Sequence, residues 1–385
     1  MFKIFLLIIF FVLYFCKNSI SESLSDYQTQ IQGKKFFSAE EIIELKSKNI
    51  LEQYKERELS IPYEGPIIDV HDHPNYKGRH KTKVEKIGPN GPDIVKIKNE
   101  LNVVHTIVMN TPGDYKAKKK RANSVKFAKQ FDTVSALCRA DIIGLKYKSL
   151  KSNFNTSKNK IERELKRINK HLRKGNCIGI GEVGAVHYNK HAKTILPGGK
   201  KKWSQQELLL DLNDKIITKL LELADQYYVP IVFHIEPFYI LKKINRENEV
   251  LNFYKTNCKK YPNAKFVLAH LGHLSPESLG NLFDFCDNIY ADFKLTHSWG
   301  LYWGGHDLNH PSDLDFKLHE RWAIFFEKYP DKVMYGSDWK LGRKYSFDDF
   351  PYHLKKVRLM IGSLKSSVQK KIMHDNAIRI YGLSL

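Results

Sequence analysis

The chain has 385 residues, 42% hydrophobic and 27% charged, with a net charge of +21. That balance excludes a disordered or fibrous chain and leaves room for one large globular domain or two ordinary ones. The positive charge invites a nucleic-acid reading, but the lysines are spread evenly and lack the aromatic interleaving that stacks bases. The one dense block, Lys116, Lys118, Lys119, Lys120 and Arg121, reads as a solvated loop and helix start.

The first stretch, "MFKIFLLIIFFVLYFCKNSISES", has the form of a signal peptide. Lys3 supplies the positive head, Ile4 to Phe15 the apolar core, and Ser19 and Ser21 small residues around a cleavage point after Ser21. The apolar run is short for a spanning helix, which needs about twenty residues. Phe15 is bulky where a lipoprotein signal before Cys16 wants a small residue. The expectation is export to a secreted, periplasmic or lumenal location, with an uncleaved anchor as the alternative. Of the remaining cysteines, Cys138 and Cys177 sit in apolar runs and read as small buried residues, while a Cys258–Cys286 bridge is open. Asn155-Thr156-Ser157 is a lone glycosylation sequon.

Residues 22–65 read as an N-terminal helical extension, where Ser38 with Glu41 makes a capping box and Phe37 with Ile42 a hydrophobic staple. From residue 66 to 385, short apolar runs alternate with amphipathic stretches. Strands are expected at Ile67–Val70, Val103–Met109, Val134–Arg139, Ile178–Glu182, Ile231–His234, Phe266–His270, Ile289–Phe293 and Val333–Tyr335. A helix within "TSKNKIERELKRINKHLRKG" stops at Gly175, and another opens on a Ser204–Glu207 capping box and runs through "DKIITKLLELADQYY". Continuous apolar strands alternating with helices imply a parallel sheet covered on both faces. Eight of them over one domain fit an α/β fold of the (β/α)8 TIM-barrel type. A doubly wound sheet would carry a Gly-rich turn after its first strand, and here that strand ends in His-Asp-His-Pro.

Strand ends carry the chemistry. "IIDVHDHPNY" puts His71 and His73 on one strand face, since side chains alternate. "CIGIGEVGA" brings in Glu182, "VPIVFHIEP" brings His234, "KFVLAHLGH" brings His270 and "KVMYGSDWK" brings Asp338. In a barrel all these positions lie at the C-terminal mouth, where such folds build active sites. Burying so many ionisable groups together is costly without a cation. Mixed imidazole and carboxylate donors suit zinc, with manganese, iron or cobalt as alternatives. Asp72 and Glu236 stand beside ligands, and alternation is expected to point them away as supports.

Residues 66–385 resemble the metal-dependent amidohydrolase superfamily, and within it the amidohydrolase-related branch that includes decarboxylases and lactonases. The carrying residues are His71-x-His73, "GIGEVG" with Glu182, "VPIVFHIEP" with His234, "LAHLGH" with His270, "YGSDW" with Asp338, and the closing "NAIRIYGL". The resemblance implies His71, His73 and Asp338 on one metal, His234 and His270 on a second, and Glu182 bridging them. Single-metal members instead use the histidine pair, His234 and Asp338, which leaves His270 to polarise substrate. The carboxylate on strand four favours two ions. Asp338 and His270 are then the catalytic residues: a cation acidifies the water it holds, and Asp338 accepts and relays the proton.

The expected function is a hydrolase acting on a small-molecule carbonyl substrate such as an ester, lactone or amide. Arg139 and Lys294 are candidates to receive an anionic substrate group, and His297, Trp299 and Trp303 in the loop after strand seven to line or cover the pocket. A decarboxylase of the same superfamily, a TatD-like nuclease and an exported non-catalytic binding protein are the alternatives. "GEVG" resembles the nucleases, but "YGSDW" departs from their strand-eight pattern, and nucleic acid is not the expected partner. No membrane contact is expected beyond the N-terminal segment, and a homo-oligomer is compatible with the sequence.

Overall fold

The structure is a computed structural model and describes residues 57–58, 60–73, 91–110, 124–140, 158–188, 208–239, 244–295, 311–312, 317–340 and 349–385. The N-terminal apolar segment, the capping boxes at Ser38 and Ser204, the basic block, the sequon and the loop bearing His297, Trp299 and Trp303 lie outside them.

Eight strand positions follow in chain order: β1 (Ile67–His73), β2 (Val103–Val108), β3 (Val134–Ala136 with Cys138–Arg139), β4 (Ile180–His187), β5 (Pro230–Ile235), β6 (Lys265–Leu268), β7 (Ile289–Phe293) and β8 (Val333–Tyr335 with Trp339–Lys340). A helix follows each: α1 (Gly91–Glu100), α2 (Ser124–Ala128), α3 (Lys158–Arg173), α4 (Lys215–Gln226), α5 (Glu247–Lys260), α6 (Pro276–Phe285), α7 (Glu320–Lys328) and α8 (Asp349–Gly362).

Parallel pairing runs β8–β1–β2–β3 in one ladder and β8–β7–β6–β5–β4–β3 in the other. The first segment of β3 pairs with β2 and its second with β4. The first segment of β8 pairs with β7 and its second with β1. Both ladders therefore share their end strands and the sheet closes into the expected (β/α)8 barrel. Leu137 N donates to Val108 O at 2.9 Å and Asp338 N to His71 O at 2.7 Å, carrying the ring across both seams.

Two apolar layers result. Ile68, Val70, Ile107, Met109, Leu137, Val232, Val267 and Met334 fill the barrel, and Ile380 and Tyr381 of the closing helix Asn376–Tyr381 join them. Phe233, Phe266, Phe293, Trp322 and Phe326 fill the space between strands and helices. Each such aromatic or aliphatic side chain stabilises the fold by about 1.5–3 kcal/mol through burial. The end of the N-terminal extension lies across α7 and α8: Arg57 pairs with Glu320 and Glu327, and Tyr63 N donates to Arg358 O.

Two expectations are corrected. Cys138 is bonded to Cys177 as well as Cys258 to Cys286, so the first pair is a crosslink between β3 and the approach to β4. The helix expected to open at Ser204 begins at Lys215, because Asp214 caps it by accepting Ile216 N at 2.8 Å. Leu208–Leu209 ahead of it pairs antiparallel with the end of β4. Among the described residues no helix is long and apolar enough to cross a membrane.

Candidate metal centre

A bulge in β1 aims the two histidines. Asp69 pairs with Thr106 and Asp72 with Val108, so three steps on β1 match two on β2. Val70 then faces the barrel core while Asp69 and Asp72 both face outward to the buried Lys98 of α1. His71 and His73 are left at the mouth, wholly buried or nearly so.

Their hydrogen bonds settle which ring nitrogen faces the site. His73 Nδ1 lies 3.0 Å from Met109 O, and a carbonyl can only accept, so Nδ1 carries the proton. His71 Nδ1 lies 2.9 Å from Asp292 Oδ2, again an acceptor. The two Nε2 atoms therefore face each other across 3.1 Å. Two carboxylate oxygens join them. Glu182 Oε2 is 3.3 Å from His73 Nε2 and 3.8 Å from His71 Nε2, and Asp338 Oδ1 is 3.2 and 3.9 Å from the same atoms.

Four acceptor atoms converging in a buried space repel one another unless a positive charge stands among them. Donors about 2.1 Å from a common ion lie roughly 3–3.5 Å apart, which matches the shorter edges of this cage. The carboxylates around the cage favour positive charge within it, which a proton on His71 or a cation can supply. Burial works against the His71 imidazolium, yet Asp292 and Glu182 hold its pKa well above the usual histidine range. Burial likewise opposes the Glu182 carboxylate, but His234, His71 and His73 keep it well below the usual range. The residues present fit a divalent cation: His71, His73 and Glu182 bring donor atoms within 4.8 Å of one another, and Asp338 Oδ1 stands against the same two histidines.

Asp338 and His270 sit on strained backbone, with φ of +48° and +58°. Such conformations persist where surrounding structure over-determines them, and they concentrate at functional sites. Asp338 presents Oδ1 to the histidine pair while Oδ2 accepts from Lys294 Nζ at 2.7 Å. His270 Nε2 stands 3.6 Å from the same Oδ2, its ring stacked on His71 at 4.9 Å. Burial, with Lys294 close by, pushes the His270 pKa down to about 3, so the ring is neutral.

His234 stands between two carboxylates, with Nδ1 2.7 Å from Glu182 Oε1 and Nε2 3.1 Å from Glu236 Oε1. Burial disfavours its charged form, but Glu182 and Glu236 raise its pKa. Glu236 thus points toward His234 and not away, because residues two apart on an extended chain share a face. Asp72 does face outward, onto Lys98.

Lys294 enters the site through Asp338. Arg139 is partly buried and lines a small cavity with Glu164, Arg167 and His171 of α3, on the helix side of β3. Three residues escaped sequence reasoning. Asp292 binds His71 Nδ1 and also accepts His270 N at 2.8 Å. Its signal was a carboxylate inside the apolar run "NIYADF". His187 and His273 flank His234, with ring centroids 5.4 and 5.3 Å away.

Residues 195–383 match the family model described as amidohydrolase, so the resemblance carried by the strand ends holds over that part of the chain. No curated protein sequence matches the chain. Three solved structures illustrate what the chain is similar to. A protein of Agrobacterium tumefaciens in its apo form is 12% identical, with a TM-score of 0.49, over 84% of this chain and 98% of that one. A dihydroxybenzoic acid decarboxylase of Polaromonas sp. JS666, with bound manganese and 2-nitroresorcinol, is 11% identical, with a TM-score of 0.48, over 83% of this chain and 97% of that one. A dihydroorotase of Campylobacter jejuni is 14% identical, with a TM-score of 0.47, over 85% and 86%.

Proposed function

We propose that the chain is a metal-dependent hydrolase that activates water against the carbonyl of a small ester, lactone or amide, with zinc as the ion. The convergence of His71 Nε2, His73 Nε2, Glu182 Oε2 and Asp338 Oδ1 on one buried point carries the reading. A divalent cation held there supplies Lewis acidity, lowering the pKa of water and polarising an electrophilic oxygen.

The chain's own groups do the rest. Asp338, through Oδ1, takes the proton from the attacking water and returns it to the leaving group. Lys294 fixes the other oxygen of Asp338 and orients the carboxylate. His270, neutral and beside Asp338, donates to or orients the substrate oxygen. Asp292 and Met109 lock the two rings of the cage in their tautomers. The two crosslinks, Cys138–Cys177 and Cys258–Cys286, support export, since such bonds persist in oxidising compartments.

Metal analysis of the purified full chain, followed by assays on lactone, ester, amide, aromatic carboxylate and phosphoester panels, tests the proposal. The expected result is bound zinc or a similar ion, and carbonyl hydrolysis abolished in Asp338→Asn. Release of carbon dioxide without hydrolysis would assign a decarboxylase, and cleavage of DNA alone a nuclease. A folded protein that takes up no metal would remove the enzyme reading altogether.

A further inference from the structure

We propose that His187, His234 and Glu236 form a second divalent-cation site, one imidazole ring away from the first and coupled to it through Glu182. The inference rests on the metalloenzyme reading above, and it places the second ion on a different donor set from the one the family resemblance implies.

The sequence pattern on β5 repeats that on β1. His234-x-Glu236 puts two donors on one face, as His71-x-His73 does. The end of β4 supplies the third donor. Glu236 N donates to Val186 O at 3.0 Å, which draws the end of β5 against His187. Glu236 is fully buried, and its Oε2 accepts Tyr188 N at 2.8 Å. Its Oε1 lies 3.1 Å from His234 Nε2 and 3.8 Å from His187 Nε2. One donor atom from each of the three residues lies within 4.8 Å of the others.

The orientation of the His234 ring links the two sites. Its Nδ1 is 2.7 Å from Glu182 Oε1, a carboxylate whose other oxygen faces the first cage. Nδ1–H donates to Glu182, and Nε2 faces the oxygen of Glu236, where a proton or a cation can stand between them. That is the carboxylate–histidine arrangement that orients imidazole ligands toward a metal. Two imidazoles and one carboxylate suit zinc, manganese, iron or cobalt, and three protein donors leave a position for water or substrate. Glu182 then serves as a ligand through Oε2 and as the orienting partner of the second site through Oε1. In the arrangement the family implies, His234 and His270 hold the second ion. Glu182, His234 and His270 also bring donor atoms within 4.8 Å of one another, so the two donor sets share His234 and the variants below tell them apart.

The test strips the full chain with chelator and reloads it with zinc or cobalt(II), reading bound equivalents and the cobalt absorption spectrum. The expected result is two equivalents in the wild type and one in both Glu236→Gln and His187→Asn. The lost ion should be weakened by more than the roughly 10–100-fold typical of losing an outer-sphere partner. His187→Asn, at a partly exposed position, guards against misfolding of the buried variant. One equivalent in all three proteins would overturn the second site and leave the first standing. So would a second ion that survives Glu236→Gln but is lost in His270→Asn. No metal in any of them would overturn the metalloenzyme reading itself.

Discussion

His71 Nδ1 is held by Asp292, and Asp292 is held in turn by its place in the apolar strand β7 and by His270 N at 2.8 Å. Replacing Asp292 with Asn removes the charge that holds Nδ1–H, so zinc affinity should fall about 10–100-fold while the fold persists. Competition against a chromogenic chelator measures this, and unchanged affinity would deny Asp292 an orienting role. Gly336 supports the same ring from below. A methyl group there would come within 2.6 Å of His71 Cβ and 3.4 Å of Asp292 Cβ. Gly336→Ala should therefore cost about 1–3 kcal/mol in unfolding free energy and displace His71. Wild-type zinc retention by this variant would contradict the packing argument. His71, His73, Glu182, His234, His270 and Asp338 were all readable as strand-end residues, and the structure brings them to one mouth. Asp292 was not, because a lone aspartate in a strand carries no spacing partner that would give it away.

At the scale of elements, α1 is locked to β1 by a buried ion cluster. Lys98 donates to Asp69 and Asp72, and Asp69 also accepts Ser337 N at 2.8 Å and Ser337 Oγ at 2.6 Å. Burial opposes the ammonium, yet the two carboxylates keep its pKa raised. Lys98→Met leaves both carboxylates buried without their countercharge, which should cost about 3–5 kcal/mol. Chemical denaturation checks it, and a loss below about 1 kcal/mol would mark the cluster as no more than a surface-type pair. Because Ser337 precedes Asp338, the same variant should weaken the metal cage from beneath. On β2, His105 is desolvated against Ser135, which lowers its pKa from 6.5 to about 4. Its neutral form is favoured by folding, so this contribution is complete above pH 6.5 and is lost as pH falls through 4. His105→Gln should flatten the stability profile over that window. An unchanged acid limb would show that the ring charges without cost.

For the whole molecule, two crosslinks close loops of 39 and 28 residues. Chain-entropy arguments give each roughly 3–4 kcal/mol of stabilisation. Reduction should therefore lower the melting temperature measurably without changing metal content, because neither bond touches the cage. Metal loss on reduction would tie the crosslinks to the site. The Cys138–Cys177 bond was missed because two apolar contexts on separate segments say nothing about their distance. Closure of β3 onto β4 is what brings them together.

The sequence by itself determined the barrel and the direction of its chemistry. Eight apolar runs alternate with helical stretches, and polar residues of ligand type stand at the same end of five of them. That much follows from periodicity and alternation, which are local. What only the tertiary structure decided is where those groups point. The bulge in β1 turns Asp69 and Asp72 to Lys98 and leaves His71 and His73 facing each other. The pairing of β4 with β5 sets Glu236 and His187 around His234, where sequence alternation had been expected to turn Glu236 away. These are matters of register and tautomer, set by partners far apart in the chain, and no local pattern encodes them.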